Sequence, residues 1–408
     1  MPSTFAEKRQ DMLNRFYTRA AVGELLVDRL GAFAPRNVLD LGAGEGSLSA
    51  AVVGRRQGME AVTVDLDPAI VDELHRKLEE AGASQHRHHQ HDVLDPMLPA
   101  RLVEHGQFDL AVCNPPFFRP DWNRNYADIL QGADLAEACP STADATAEIL
   151  FLAQNLRMVR DGGKIALIAP DGLLTGWRSV AFRRAVMDRH AVDCVLQLPN
   201  HSFHDTEARC FILLITKNAG PTETVELLRY DAIDGLSDPI IVSRGDAEMR
   251  MDFDFHAHRN GREKRVATLR QLGAEIRRGS LDTITRKAAT YPTFHTTDYR
   301  SIEEGMIALE GGPALLDDRK LVIAETGDIL LARVDRSLHE KVAMVVSGCA
   351  AVTDCIYRVR LPAEVRTSVF DALRSPAGAA SLLAATKGVS ARLLGKADLL
   401  DLPLQLPA

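Results

Sequence analysis

Val38-Leu39-Asp40-Leu41-Gly42-Ala43-Gly44-Glu45-Gly46 is a short apolar strand that runs into a glycine-rich turn, with a helix to follow. Glycines there let the backbone approach a ligand closely and take turn geometries denied to other residues. Asp65 ends the next β-rich run, about 20 residues past the glycines, where a carboxylate accepts hydrogen bonds from ribose hydroxyls. Asp92 follows a polar third segment and is placed to accept from an adenine amino group. A nicotinamide cofactor would share the ribose acid. These residues alone therefore point to a nucleoside-bearing ligand and no further.

Working outward, β-rich runs recur at Asn37–Leu41, Glu60–Asp65, Phe108–Cys113, Lys164–Ala169, Val192–Leu198 and Cys210–Lys217. Between them, Ala69–Ala81 and Ala143–Val159 have helical periodicity with charged outer faces. The alternation predicts an α/β fold with a doubly wound, mostly parallel sheet. A polar strand ending at His91 is expected, and the runs near 192 and 210 predict an antiparallel hairpin at one sheet edge. After Lys217 the texture changes. Asp231–Asp254 reads as acidic and irregular, Arg259–Arg278 as a basic helix, and the rest as short β-like runs with a helix near Phe370–Ala385. Two domains are predicted, 1–245 and an α+β domain at 246–408.

Composition excludes several classes. With 46% hydrophobic and 25% charged residues over 408 positions, the chain is neither disordered throughout nor fibrous. Its six cysteines, Cys113, Cys139, Cys194, Cys210, Cys349 and Cys355, form no CxxC pair, so neither a zinc ribbon nor a disulfide framework is expected. There is no apolar run of about 18 residues, and the polar start lacks a signal-peptide core. A reducing, cytoplasmic protein without membrane association is expected. The net charge of −8 divides unevenly: residues 261–408 hold 21 Lys+Arg and 18 Asp+Glu, against 27 and 38 in the first 260. An acidic first part thus masks a mildly basic second one.

His86, His88, His89 and His91 invite a metal reading, because alternate strand residues share a face and His89 and His91 could converge. No second cluster of carboxylates or thiols is obvious in the sequence, so no metal is expected.

The chemistry is carried by Asn114-Pro115-Pro116-Phe117, which follows the apolar run Asp109–Cys113 at the strand end where α/β sites lie. Two prolines stiffen the loop and remove two donors, leaving carbonyl oxygens to present. The Asn114 amide oxygen and the Pro115 carbonyl make an acceptor pair for an –NH2 group, and Phe117 gives a flat face for a planar ring. Such an arrangement suits methyl transfer to a conjugated amine, where positioning and electrostatics carry the rate and no strong base is needed.

With these residues in view, 1–217 resembles the amino-group DNA methyltransferases of the gamma arrangement, which use S-adenosylmethionine and modify adenine N6. Arg15-Phe16-Tyr17-Thr18-Arg19-Ala20-Ala21-Val22 is similar to that family's GxFYTPxxV segment, with Arg19 in place of proline and Asn14 in place of glycine. The resemblance implies that Tyr17, Thr18, Asp40, Gly42, Gly44, Gly46, Asp65 and Asp92 bind the cofactor. It implies that Asn114, Pro115, Pro116 and Phe117 are catalytic, and that Phe117 and Phe203 stack on a flipped base.

Residues 270–408 resemble one target recognition domain of the type I restriction specificity subunits. The resemblance rests on Ile276-Arg277-Arg278-Gly279, Tyr291-Pro292, His295–Tyr299, Gly327–Arg333, Lys341–Val345 and Thr386-Lys387-Gly388, in that order. It implies double-stranded DNA as partner, with Arg278, Arg333, Arg336 and Lys341 as contacts. The 37 residues before Val38 are too few for a fused nuclease, so any restriction activity is expected on a partner, a separate endonuclease or defence-system subunit. Asn-Pro-Pro-aromatic also serves enzymes that methylate RNA or a protein glutamine. A DNA-binding modification subunit acting with partners is a further alternative.

Overall fold

The computed structural model describes residues 20–56, 58–199, 202, 209–260, 266–302, 305–312, 320–388 and 391–406. The chain divides into two units, Met1–Phe253 and Asp254–Ala408. Tyr17, Thr18 and Phe203 lie outside the described residues.

The first unit is built on a ten-stranded sheet among the described residues. Its strands are β1 (Asn37–Leu41), β2 (Glu60–Asp65), β3 (Gln85–Gln90), β4 (Phe108–Cys113), β5 (Val159–Pro170), β6 (Ala191–Gln197), β7 (Cys210–Thr216), β8 (Thr224–Asp231), β9 (Gly235–Leu236) and β10 (Ile240–Ser243). They lie in the order β10-β8-β6-β7-β5-β4-β1-β2-β3, with β9 on β8. β1 pairs in parallel with both β2 and β4, so the chain winds one way through β2 and β3 and the other way through β4 and β5. Every residue of β4 is buried, as a central strand covered on both faces requires. Helices α1 (Ala20–Leu30), α2 (Ser47–Arg55) and α3 (Val71–Glu80) share one core cluster with Val38, Leu110, Val112 and Ile168. The helix Ala147–Met158 packs on β1, β4 and β5 and is buried at every position but Arg157.

The antiparallel pair β6–β7 forms as the sequence predicts, but inside the sheet and not at the expected edge, because β7 also pairs with β5 and β6 with β8. Two further strands extend beyond it: β8 runs parallel to β6 and β10 antiparallel to β8. The segment expected to be irregular, Asp231–Asp254, instead holds β9, β10 and the helix Arg244–Met249. The strand β10 buries only Val242, so its alternation spans too few residues to read.

The second unit is α+β. A five-stranded sheet runs in the order Glu275–Arg278, Ile356–Arg360, Ile329–Ala332, Val342–Ser347 and Met306–Ala308. A three-stranded sheet joins Thr293–Phe294, Cys349–Val352 and Ile323–Glu325. The predicted basic helix over Arg259–Arg278 is corrected: a helix ends at Asn260, and Val266–Thr268 and Glu275–Arg278 are strands. Gly273 sits at φ 74°, a left-handed turn that no helix continues through. The helix expected near Phe370–Ala385 is two, Ala363–Arg374 and Pro376–Ala385. Pro376 opens the second, and the Ser375 side chain accepts from the Gly378 N–H.

Candidate active site

The reversal of strand order at β1 and β4 opens a crevice at the carboxyl ends of the sheet, where ligands bind in open α/β folds. The cavity there brings together Asp40, Gly42, Gly44, Asp65, Asp92 and Asn114. With Pro116, seven of the residues singled out in the sequence thus converge.

The glycine loop is fixed from both sides. Gly42 and Ala43 donate their N–H groups to the Val64 carbonyl at 2.8 and 3.2 Å. Gly42, Gly44 and Gly46 all have positive φ, at 72°, 51° and 78°. A Cβ at Gly42 would stand 3.0 Å from the Phe151 ring, and one at Gly46 would stand 2.4 Å from Leu74 Cδ1. Only glycine combines this backbone with this closeness.

Asp65 accepts from the Gly44 N–H at 2.8 Å and from the Asp67 N–H at 2.9 Å. Two backbone donors therefore orient the carboxylate, and its remaining lone pairs stay available for hydroxyl groups. Asp92 Oδ1 accepts from the Leu94 N–H at 2.8 Å. Asp40 is 1% exposed. Burial pushes its carboxyl up to about 7, although hydrogen bonding from Ser49 pulls the other way. Among the described residues its Oδ2 has no hydrogen-bond partner. A buried acceptor left unpaired is costly, and a ligand donor would satisfy it.

Asn114 leaves the end of β4 directly beside β1. The following turn is held by the Phe118 N–H on the Pro116 carbonyl at 3.2 Å and by the Ala147 N–H on the Phe118 carbonyl at 3.0 Å. Phe117 is half-buried against the core cluster. Phe118 and Phe151 line the cavity instead.

Sequence reasoning missed Phe118, Phe151 and Gln154. The buried Gln154 amide donates to the Val93 carbonyl at 2.7 Å and the Asp95 carbonyl at 2.8 Å, which latches the loop that carries Asp92. A glutamine following the apolar run Ile149–Ala153 in the helix Ala147–Met158 is the signal that could have found it.

In the second unit, Arg278 and Arg333 meet at Asp354. Arg278 Nη2 donates to its carboxylate at 2.7 Å and Arg333 Nε to its carbonyl at 2.7 Å. Lys341 Nζ donates to Asp335 Oδ2 at 2.6 Å and to the Thr296 carbonyl at 3.2 Å. Arg336 follows Asp335 in the chain.

A doubly wound sheet with this glycine loop, an acid ending β2 and Asn-Pro-Pro after β4 defines a methyltransferase domain, and domains of this kind use S-adenosylmethionine. The residues fit that cofactor: the Asp40 oxygen without a partner among the described residues and the oriented Asp65 carboxylate are acceptors, and the cavity beside Gly42 and Gly44 is the space it needs. Residues 69–237 match the N-6 DNA Methylase family, and residues 7–115 match the family described as Methyltransferase domain. The chain is 28% identical over 142 residues to a tRNA1(Val) (adenine(37)-N6)-methyltransferase of Shewanella sediminis, covering 31% of this chain and 58% of that protein. It is 26% identical over 131 residues to the enzyme of the same name from Flavobacterium psychrophilum, covering 31% and 54%. The matches thus span little more than half the length of these relatives. The fold is similar to that of the type IIG restriction endonuclease BpuSI, with a TM-score of 0.54, 14% identity, and coverage of 95% of this chain and 58% of that one. No helix among the described residues is long and apolar enough to cross a membrane.

Proposed function

We propose that this protein transfers a methyl group from S-adenosylmethionine to adenine N6 in duplex DNA, after the base is flipped out of the helix. The observation that carries the reading is the placement of Asn114 at the end of β4, in the same cavity as Asp40, Asp65 and the glycine loop. The cofactor supplies an electrophilic methyl on a sulfonium sulfur. Glycines 42, 44 and 46, with Asp40, Asp65 and Asp92, hold it. The Asn114 amide oxygen and the Pro115 carbonyl accept both N6–H bonds and favour the pyramidal, nucleophilic nitrogen. So held, the nitrogen would be poised to take the sulfonium methyl that the bound cofactor supplies, and its proton would pass to water afterwards. Extrusion of the base costs about a few kcal/mol. Stacking on Phe117 and Phe203 offsets about 1–3 kcal/mol of it per base.

DNA as substrate is supported by the N-6 DNA Methylase match and by the motif order over 270–408, which resembles a target recognition domain. In this reading the first unit has the gamma arrangement. Arg278, Arg333, Arg336 and Lys341 exchange internal partners for phosphates or bases, and a separate restriction or defence-system subunit is a partner. A second reading, methylation of an adenine in RNA, is favoured by one observation: both curated relatives are named tRNA adenine-N6 methyltransferases.

Incubation with tritiated S-adenosylmethionine and duplex DNA, tRNA or protein, followed by nucleoside analysis, separates the readings. N6-methyladenine in DNA is the expected product. Label confined to tRNA selects the second reading, and label confined to protein sinks both.

A further inference from the structure

Away from the cofactor cavity, the outer edge of the same sheet brings His89 together with the adjacent pair Glu104 and His105. His89 lies on the edge strand β3, whereas Glu104 and His105 close the short turn that precedes β4. His89 Nε2 and His105 Nε2 are 2.9 Å apart, and Glu104 Oε1 is 3.5 Å from His105 Nε2. One ligand atom from each of the three lies within 4.8 Å of the others.

We propose that His89, Glu104 and His105 form a binding site for a divalent transition metal, with zinc the best match. Two imidazoles and a carboxylate are an ordinary zinc donor set, and bonds of about 2.0–2.2 Å around a tetrahedron place ligand atoms about 3.3–3.6 Å apart. The observed 3.5 Å falls within that spacing, and the two imidazole nitrogens, 2.9 Å apart, would separate by about 0.5 Å to admit the ion.

The surroundings favour a cation over a bare histidine pair. Glu60 Oε1 lies 3.8 Å from His105 Nδ1, on the far side of the ring. Drawn into hydrogen-bond reach, a carboxylate there would favour the tautomer with Nδ1 protonated, as in carboxylate–histidine–metal triads. In that tautomer the Nε2 lone pair of His105 faces both His89 Nε2 and the Glu104 carboxylate, so a cation placed among them would draw on all three. The His105 side chain is only 3% exposed, which holds its ring in place, while the Glu104 side chain is 60% exposed and would exchange its 3.8 Å ion pair with Arg87 for the metal. Three protein ligands leave a fourth position for water. The metal would pin the edge strand β3 to the turn before β4, a structural role separate from methyl transfer.

The test uses the full-length chain, free of any affinity tag and stripped of metal. Titration with Co2+ should give the intense visible absorption of a four-coordinate N/O site, saturating at one equivalent and abolished by Zn2+. His89→Gln and His105→Gln should each weaken Zn2+ binding by about 100-fold or more, and Glu60→Gln, behind the ligand, by about 10-fold or more. Thermal melts of the metal-free variants check that they fold. Glu104→Gln, on an exposed side chain, provides the same readout should a histidine variant fail to fold. Absence of the cobalt band, or wild-type Zn2+ affinity matched by His89→Gln or by Glu104→Gln, would overturn the proposal.

Discussion

Asp40 shows how a single residue links fold and ligand. Its carboxyl is buried at the cavity wall, has an unpaired oxygen, and is pushed up to about 7 by burial. In the unfolded chain the same group ionises near about 3.9. A raised folded value means that the neutral form is favoured by folding. This group's contribution is therefore complete below about pH 4 and is lost as pH rises toward about 7. Melts of the cofactor-free protein should show that slope, and Asp40→Asn, which cannot ionise, should flatten it. An unchanged slope in the variant would refute the assignment. Gly46 is a second residue-scale case. At φ 78°, with Leu74 Cδ1 2.4 Å from the position of an added Cβ, Gly46→Ala should destabilise the protein by about 1–3 kcal/mol in urea unfolding.

At the scale of elements, the site was legible because its strands are apolar and its turns chemically marked. β1, β2, β4 and the Ile165–Ala169 part of β5 are buried and read as largely apolar runs. The glycine loop and Asn114–Phe117 announce their turns by residue type. The strand β8 was opaque because charged residues interrupt it, and β9 and β10 because they are four residues or shorter. The basic stretch over 259–278 misled because arginines at mixed spacing suit a helix face as well as a strand edge, and Gly273 decides between them only through its backbone angle. Cross-chain convergence was not legible at all: Gln154 on the Asp92 loop, or Glu104 and His105 at His89, depends on tertiary packing. Gln154→Ala should cost about 1–3 kcal/mol by removing both hydrogen bonds. It should also raise the KM for S-adenosylmethionine more than it lowers kcat, because the Asp92 loop loses its latch. Equal effects on the two constants would contradict that role.

The whole molecule consists of two units with opposite charge character. The part before residue 261 carries an excess of acid and the remainder a balance of 21 basic to 18 acidic residues. In the second unit, Arg278, Arg333 and Lys341 are engaged by Asp354, Asp335 and neighbouring carbonyls. Contact with phosphate would therefore exchange one anionic partner for another. Duplex affinity should fall steeply with added salt, as release of counterions requires. A chain ending at Phe253 should keep cofactor affinity while losing about tenfold or more in duplex affinity, as measured by fluorescence anisotropy. Unchanged duplex affinity would remove the second unit from recognition.

In the proposed reaction Asn114 positions the methyl acceptor beside a separately built cofactor cradle. Cofactor binding and methyl transfer measured together in Asn114→Ala test this role. The expected result is a Kd for S-adenosylmethionine close to that of the wild type, with transfer to duplex DNA reduced by about 100-fold or more. Transfer at near wild-type rate would contradict it.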